Sequence, residues 1–232
     1  MPEVNDHDQS VGDVVAGWKP RSAPAAISLI GRHVALLPLT TDHAGDLFAT
    51  LCGPDDTSLW TYRPTDPPVD LAGMRGLVAA HLEVPAIRTY TVVPTGGVPS
   101  GMVSLMRIEP DHGQVEVAGV LYARHLQRTP ASTETTHLLM KYAFEGLGYR
   151  RFEWKCDSLN EPSRRAAVRL GFTYEGRFRQ HMVTKGRNRD TDWYSVTDSE
   201  WPALRDAHRR WLDPANFDEQ GRQRVSLSSL TG

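Results

Sequence analysis

Cysteine is nearly absent from this chain: 232 residues hold two, Cys52 and Cys156. They stand far apart and form no CxxC pair or Cys/His cluster, which excludes the usual zinc-binding patterns and leaves two buried free thiols as the expectation. Long apolar runs are missing too. No stretch of 18 or more apolar residues occurs, so no spanning helix and no membrane partner is expected. The acidic, polar start "MPEVNDHDQSVGDVVAGWKP" lacks the positive flank and apolar stretch of a secretory signal, and a soluble, cytoplasmic protein follows as the expectation. Charge of one sign is also lacking. Lys plus Arg number 26 against 28 for Asp plus Glu, which removes any global electrostatic reason to expect nucleic acid and leaves only local basic patches. There is no internal repeat and no low-complexity tract.

What is present is an ordinary apolar and charged fraction over a length that buries a substantial core in one large domain with extensions. Residues 1–26 mix Asp, Ser, Pro and Gly without periodicity and read as an N-terminal tail, disordered or draped over the domain, with Trp18 available for contacts. The domain itself is expected over 27–212. "HVALLPL" reads as a strand and "TTDHAGDLFATLC" as a helix with a Thr cap; after the Pro-rich "RPTDPPVD", "DLAGMRGLVAAHLEV" reads as a second helix. "RTYTVV", "GMVSLMRI" and "QVEVAGVLY", separated by turn-rich loops, predict three consecutive strands of an antiparallel meander. "ASTETTHLLMKYAFEGLG" predicts a long helix closed by Gly148, followed by the strand "RRFEWKC" and a short helix entered through Asn160 and Pro162 and ended by Gly171. Two more strands around "KGRN" and a last helix, "DSEWPALRDAHRRWL", capped by Asp198 or Ser199, complete the order; residues 213–232 form a C-terminal extension without periodicity. Strands and helices in this order predict an α+β fold with one strand–helix–strand crossover late in an otherwise antiparallel sheet.

Between the strand "QVEVAGVLY" and the long helix lies "LQRTPASTE", whose backbone N–H groups would point at an anion sitting on the helix N-terminus. Arg128 and the hydroxyls of Thr129, Ser132 and Thr133 would add donors; simple N-capping explains the same residue types.

"QRTPAS" (Gln127 to Ser132) resembles the Q/R-x-x-G-x-G/A loop of the GNAT acyltransferases, which cradles the pyrophosphate of acetyl-CoA. The "TE" after it and "NEPSRRAAVRLGFTYEG" are similar to the RimJ/RimL-like branch, with its N-x-x-S-x-x-x-x-x-x-x-G-F-x-x-E-G signature, and "LGYRRFEWKC" sits where that family's fifth strand belongs. The resemblance covers roughly residues 114 to 196. There are two departures: Pro130 stands at the loop's central glycine and donates no N–H, and Ser132 stands where the family has Gly or Ala.

This resemblance implies a GNAT fold, with a mixed, mostly antiparallel central sheet of about seven strands flanked by helices and splayed between strands 4 and 5. It implies acetyl-CoA as acyl donor and a primary amine, on a protein N-terminus or a small molecule, as acceptor, joined by direct attack without a metal. The cofactor-binding residues would be Leu121, Gln127, Arg128, Thr129, Ala131, Ser132, Thr133, Asn160 and Arg164. Ser163 would lie near the thioester sulfur and protonate the thiolate, with backbone capping as the structural alternative. Glu116 corresponds to an acidic residue used as base; Val115 and Val117 alternate with it, which as a strand pattern also fits a solvent-facing carboxylate. Asp157, His181 and Tyr194 are further candidates. A backbone N–H near Gly119 or Leu121 would polarise the thioester carbonyl. Arg164, Arg165 and Arg169 would face the cofactor's phosphates or form a solvated helix face. The run "RFRQHMVTKGRNR" would border the acceptor or form a hairpin balanced by Asp190 and Asp192, and Trp60, Tyr62, Trp154 and Trp193 would line a pocket or fill the core. A homodimer is compatible with the fold. The alternative reading is a catalytically degraded acyl-CoA-binding or regulatory domain, motivated by Pro130.

Overall fold

The computed structural model describes residues 3–231; Met1 and Pro2 of the expected tail and Gly232 of the expected extension lie outside the described residues. In chain order the strands are β1 (Glu3–Val4), β2 (Ser10–Val11), β3 (Leu29–Ile30), β4 (Val34–Pro38), β5 (Arg88–Pro94), β6 (Gly101–Glu109), β7 (Gln114–Tyr122), β8 (Arg151–Asp157), β9 (Thr173–Thr184) and β10 (Arg187–Thr197). The helices are α1 (Ala44–Leu51), α2 (Leu71–Leu82), α3 (Pro130–Lys141), α4 (Glu161–Arg169), α5 (Trp201–Leu212) and the single turn α6 (Ser228–Thr231). Eight strands form one sheet in the order β3-β4-β5-β6-β7-β8-β10-β9, and β1 pairs with β2 alone. The sheet is antiparallel except at β7–β8, where α3 makes the crossover that a parallel pair requires. The eighth strand, beyond the expected seven, is β3, whose two residues are too few to show alternation in a sequence.

Helices cover both faces. Under α3, α4 and α5 the core holds Val115, Val117, Leu139, Phe152, Trp154, Phe172 and Trp201; under α1 and α2 it holds Leu47, Trp60, Met74, Met102 and Leu121. A carboxylate fastens α3 to the sheet: buried Glu134 accepts the backbone N–H groups of Arg32, His33 and Val34 at 2.9, 2.6 and 3.2 Å. The start of α3 is thereby fixed relative to β4, at the same end of the sheet as the ends of β5 and β7.

Two boundaries differ from the sequence expectation. The long helix stops at Lys141 and continues as a π turn, Tyr142–Gly146, which sets Phe144 against Phe152 and Trp201. Neither Asp198 nor Ser199 caps α5; Glu200 occupies that position and its carboxylate reaches back to the Thr197 N–H at 2.7 Å. The segment before residue 27 lies against the β6–β7 turn, where Trp18 Nε1 donates to Asp111 O at 2.9 Å and Arg21 stacks on the indole. The C-terminal segment places Leu227 in the main core.

Gly171 ends α4 with φ 86°, a conformation costly for any residue with a Cβ, and Leu204 of α5 fills the space that such a Cβ would need. The α4–α5 contact also buries two imidazoles. His208 Nε2 donates to Leu170 O at 3.0 Å, the His137 ring lies 5.6 Å away, and Trp201 packs on both. Burial pushes His137 down to about 4 and His208 down to about 3, from 6.5.

Both rings are therefore neutral in the fold and take up protons on unfolding below pH 6.5. Stability conferred by the neutral rings is complete above pH 6.5 and is lost as pH falls towards 4 and then 3, with a slope of about 1.4 kcal/mol per pH unit for each group. Urea unfolding across this range is expected to show that decline, and His208→Gln to remove about one proton's worth of the slope; an unchanged slope would refute the assignment.

Candidate active site

β7 and β8 part company halfway along. They pair from Gln114–Arg151 to Val117–Trp154, after which no rung joins them, so the β8-facing backbone of Ala118–Tyr122 is left without a strand partner. At the same place β7 bulges against β6: Met102 pairs with Leu121 and Ser104 with Ala118, which puts an extra residue into β7 at Gly119 and Val120. Gly119 adopts φ 63°, where glycine has no steric penalty.

On the face covered by α1 and α2, charged side chains crowd the last rungs. Glu116 and Glu153 are direct neighbours across the parallel pair, and Lys155 Nζ lies 3.0 Å from a carboxylate oxygen of each. The lysine side chain is 4% exposed and sits 3.5 Å from the centre of the Trp193 ring. Arg107, placed by a bulge in β6 where its φ is 48°, adds a third contact, its Nε 3.1 Å from Glu116. Burial lifts the Glu116 carboxyl above its ordinary range, against the opposing pull of Lys155 and Arg107. Glu116 is 5% exposed, so the solvent-facing alternative does not hold: β7 is central, and Val115, Glu116 and Val117 are all buried. His181 Nδ1 lies 2.9 Å from Thr191 Oγ1 with its ring 6.2 Å from Trp193, and burial followed by the charges of Arg107, Arg189 and Lys155 keeps it below its usual range.

The opposite face carries the helix starts. Asn160 caps α4, its Oδ1 accepting the Ser163 N–H at 3.2 Å, and Ser163 Oγ accepts the Trp154 indole N–H at 3.0 Å. A hydroxyl that accepts in this way keeps its own proton free to donate. Beside it, burial pushes the Cys156 thiol up to about 11, as it does Cys52, so neither is a thiolate near neutrality.

At the start of α3 the hydroxyls are occupied. Thr129 Oγ1 donates to Leu126 O at 2.7 Å and accepts the Ser132 N–H, Ser132 Oγ donates to Thr129 O at 2.8 Å, and buried Thr133 Oγ1 receives Arg169 Nη2 at 2.9 Å. Gln127 donates its side-chain amide to Tyr122 O. The backbone N–H groups of Arg128, Thr129 and Ala131 have no acceptor among the described residues, and Arg128 takes φ 61°. Pro130 sits at the first helical position with no N–H to offer. A cleft of about 320 Å³ lined by Arg32, His33, His125, Thr129 and Ala131 opens beside these amides. A larger one of about 400 Å³, between β3 and the π turn, is remote from the parted strands.

Of the three α4 arginines only Arg169 approaches α3. Arg164 turns to Asp192, with Nε 3.1 Å from its carboxylate, and Arg165 pairs with Glu161 on the surface. In the basic run, Arg177 joins Arg164 on Asp192, while Asp190 accepts the Gln180 N–H and the Asn188 amide. Tyr194 is buried and Leu121 lies in the core under α1 and α2. Asp157 Oδ1 accepts the Leu159 N–H at 2.9 Å and so fixes the turn into α4. Sequence reasoning missed Lys155, Glu153, Arg107 and Arg63, whose Nη1 reaches over Gly119 from the loop before α2. The available signal was "FEWKC", where charges alternate with core residues in a strand flanked by others on both sides.

Residues 33–173 match the family described as Acetyltransferase (GNAT) domain. Among curated proteins, the "Putative ribosomal N-acetyltransferase YdaF" of Bacillus subtilis (strain 168) is 31% identical over 101 residues, 44% of this chain and 55% of YdaF. A second B. subtilis relative is matched over 54% of its length, so the chain spans little more than half of these two proteins. Among solved structures, a GCN5-related N-acetyltransferase from Brucella melitensis superposes with a TM-score of 0.91 at 42% identity, covering 94% of this chain and 99% of that one. A GNAT-family protein from Chromobacterium violaceum follows, with a TM-score of 0.79 at 36% identity over 84% and 98%.

Removing the lysine charge tests the buried cluster. Lys155→Met is expected to cost about 3–5 kcal/mol at pH 7, because two buried carboxylates then lose the cation between them and keep only their outer partners, Arg107 on Glu116 and Arg151 on Glu153. Glu116, already raised by burial, then takes up a proton more readily still, so acidification to pH 5 should restore part of the loss in urea unfolding. A loss that is independent of pH would show that packing, not charge, is what Lys155 supplies.

Proposed function

Because the chain belongs to the GNAT acetyltransferase family, we propose that it transfers an acetyl group from acetyl-CoA to a primary amine by direct attack. The acceptor is a protein N-terminus or a small-molecule amine, and YdaF, named as a ribosomal enzyme, supports the first. The observation that carries the reading is the parting of β7 and β8 directly below the free amides at the start of α3. An opening through the sheet admits a narrow acyl-pantetheine arm, and the amides of Arg128, Thr129 and Ala131 bind the pyrophosphate with the α3 dipole behind them. Backbone, rather than the hydroxyls of Thr129, Ser132 and Thr133, makes these contacts. Arg169 adds positive charge on the far side of Thr133.

Glu116 receives the proton. An aliphatic amine is mostly protonated at neutral pH, and attack needs its lone pair. Lys155 and Arg107 on the acceptor face make the ammonium form unfavourable there, and the carboxylate of Glu116, raised by burial, accepts what the amine gives up. The nitrogen then bonds to the thioester carbonyl carbon while a β7 backbone N–H near Gly119 holds the oxyanion. As the C–S bond breaks, Ser163 donates its proton to the sulfur and recovers one from solvent. With the Cys52 and Cys156 thiols held protonated, no acyl-enzyme on cysteine forms.

The occupied hydroxyls and Pro130 favour one second reading, a domain that binds acyl-CoA without turnover. Isothermal titration with acetyl-CoA followed by an amine screen separates the two: micromolar binding with turnover supports the enzyme, binding without turnover of any amine supports the second reading, and no binding at millimolar ligand defeats both. Glu116→Gln is expected to lower kcat by about 10²–10⁴-fold with acetyl-CoA affinity unchanged. The native rate should rise with pH through the raised pKa of Glu116, and that limb should vanish in the variant; a retained rate would exclude Glu116 as base.

A further inference from the structure

Arg63 is a half-buried cation with no side-chain partner among the described residues. It lies in the strap 60–66 that leads from α1 towards α2 and is tied down on two sides. Tyr62 Oη donates to Leu159 O at 2.9 Å, and Lys185 Nζ, from the tip of the β9–β10 hairpin, reaches Trp60 O at 3.0 Å and Asp66 Oδ1 at 2.6 Å. So held, the strap lays the guanidinium over β7: Nη1 is 3.5 Å from the point where a side chain on Gly119 would begin, and Ser104 Oγ is 3.2 Å from the same point. Arg63 Nε is buried with no hydrogen-bond acceptor. Burial lowers its pKa, and no carboxylate among the described residues counters that fall. Burial, with a smaller contribution from the Arg63 charge, holds His81 below its ordinary range.

A guanidinium whose Nε is cut off from water and left unpaired is costly, and covered charges in proteins are otherwise paired or ligated. We propose that the missing counter-charge arrives with the acceptor, and that the acceptors are amines bearing a carboxylate a few bonds from the attacking nitrogen. This rests on the acetyltransfer reading above. Glu116 and Gly119 are three residues apart on β7, so the carboxylate and the guanidinium stand over one short stretch of the strand, and an acceptor that touches both holds its amine and its carboxylate only a few bonds apart. An α- or β-amino acid meets this chemistry, and so does a peptide whose first residue is Asp, with its side-chain carboxylate three bonds from the amine; Glu, at four bonds, is a longer analogue for comparison. Arg63 is the specificity residue: its paired donors fit a carboxylate bidentately.

The test compares three acceptor sets with the native protein and with Arg63→Met: free amino acids, their carboxamides, and C-terminally amidated peptides that begin with Asp, Glu or Ser. Native kcat/KM is expected to favour carboxylated acceptors at least tenfold, with the better set identifying whether amino acids or acidic peptides are used. Arg63→Met should raise KM for that set about 10- to 100-fold, leave the carboxamides unchanged, and recover in part as Arg63→Lys. Loss of kcat on carboxamides as well would place the guanidinium on the thioester oxygen and overturn the proposal, as would a native protein indifferent to the carboxylate. Thermal unfolding keeps this outcome separate from failure of acetyltransfer. With no ligand, Arg63→Met should match or exceed the native Tm, since a cation with a buried, unpaired Nε has been removed. Free amino acids should raise the native Tm more than their carboxamides do, and not that of the variant; equal shifts in both proteins would defeat the proposal even if no acceptor is turned over.

Discussion

An ammonium buried between two carboxylates holds the centre of this molecule together. Glu116 and Glu153 are brought side by side by the one parallel pairing in the sheet, where their charges repel at short range in a medium of low polarity. Lys155 answers both at once, and Trp193 covers it from β10, so three strands are locked at the rung where β7 and β8 are about to separate. Below that rung the sheet is continuous; above it the strands are free to diverge. The opening depends on this lock, because strands that parted without a fixed point beneath them would have no defined separation.

The opening divides the protein's work between the two faces of one sheet. Helices α3 and α4 begin on one side, bringing unsatisfied amides, the α3 dipole and Ser163 to the upper end of β7 and β8. On the other side lie the Glu116 cluster, His181 and Arg63, supplied by strands, a hairpin and a strap. The two sets share no side chain. The backbone at Gly119 belongs to both, which gives its positive φ a purpose: a larger residue there would meet Ser104 and Arg63, the groups that define the acceptor side.

Much of this could be read from residues in order. The strand and helix periodicities, Gly171 after α4, and the loop between β7 and α3 located the architecture and the parted strands. Charged residues were harder, because a strand of alternating Val and Glu looks the same at a sheet edge with one wet face as in the middle with helices on both sides. Glu116 is central, and only the strand order reveals it. Lys155 was hidden by the same ambiguity, and Arg63 by distance: its position follows from contacts to Leu159 and to Lys185, far along the chain. At Thr129, Ser132 and Thr133 the residue types were informative but the protons were not, since local carbonyls and Arg169 occupy hydroxyls that a pattern treats as free.

A passage that runs through a sheet has two mouths. If each reactant arrives by its own mouth, each product can also leave by its own, and neither has to wait for the other to clear the way. The strap forms one rim of the acceptor mouth and contributes nothing to the opposite one. Exchange of a few residues around Arg63 would thus change which molecules are admitted while the machinery for the donor stays as it is, which makes that rim the natural place for diversification and for redesign.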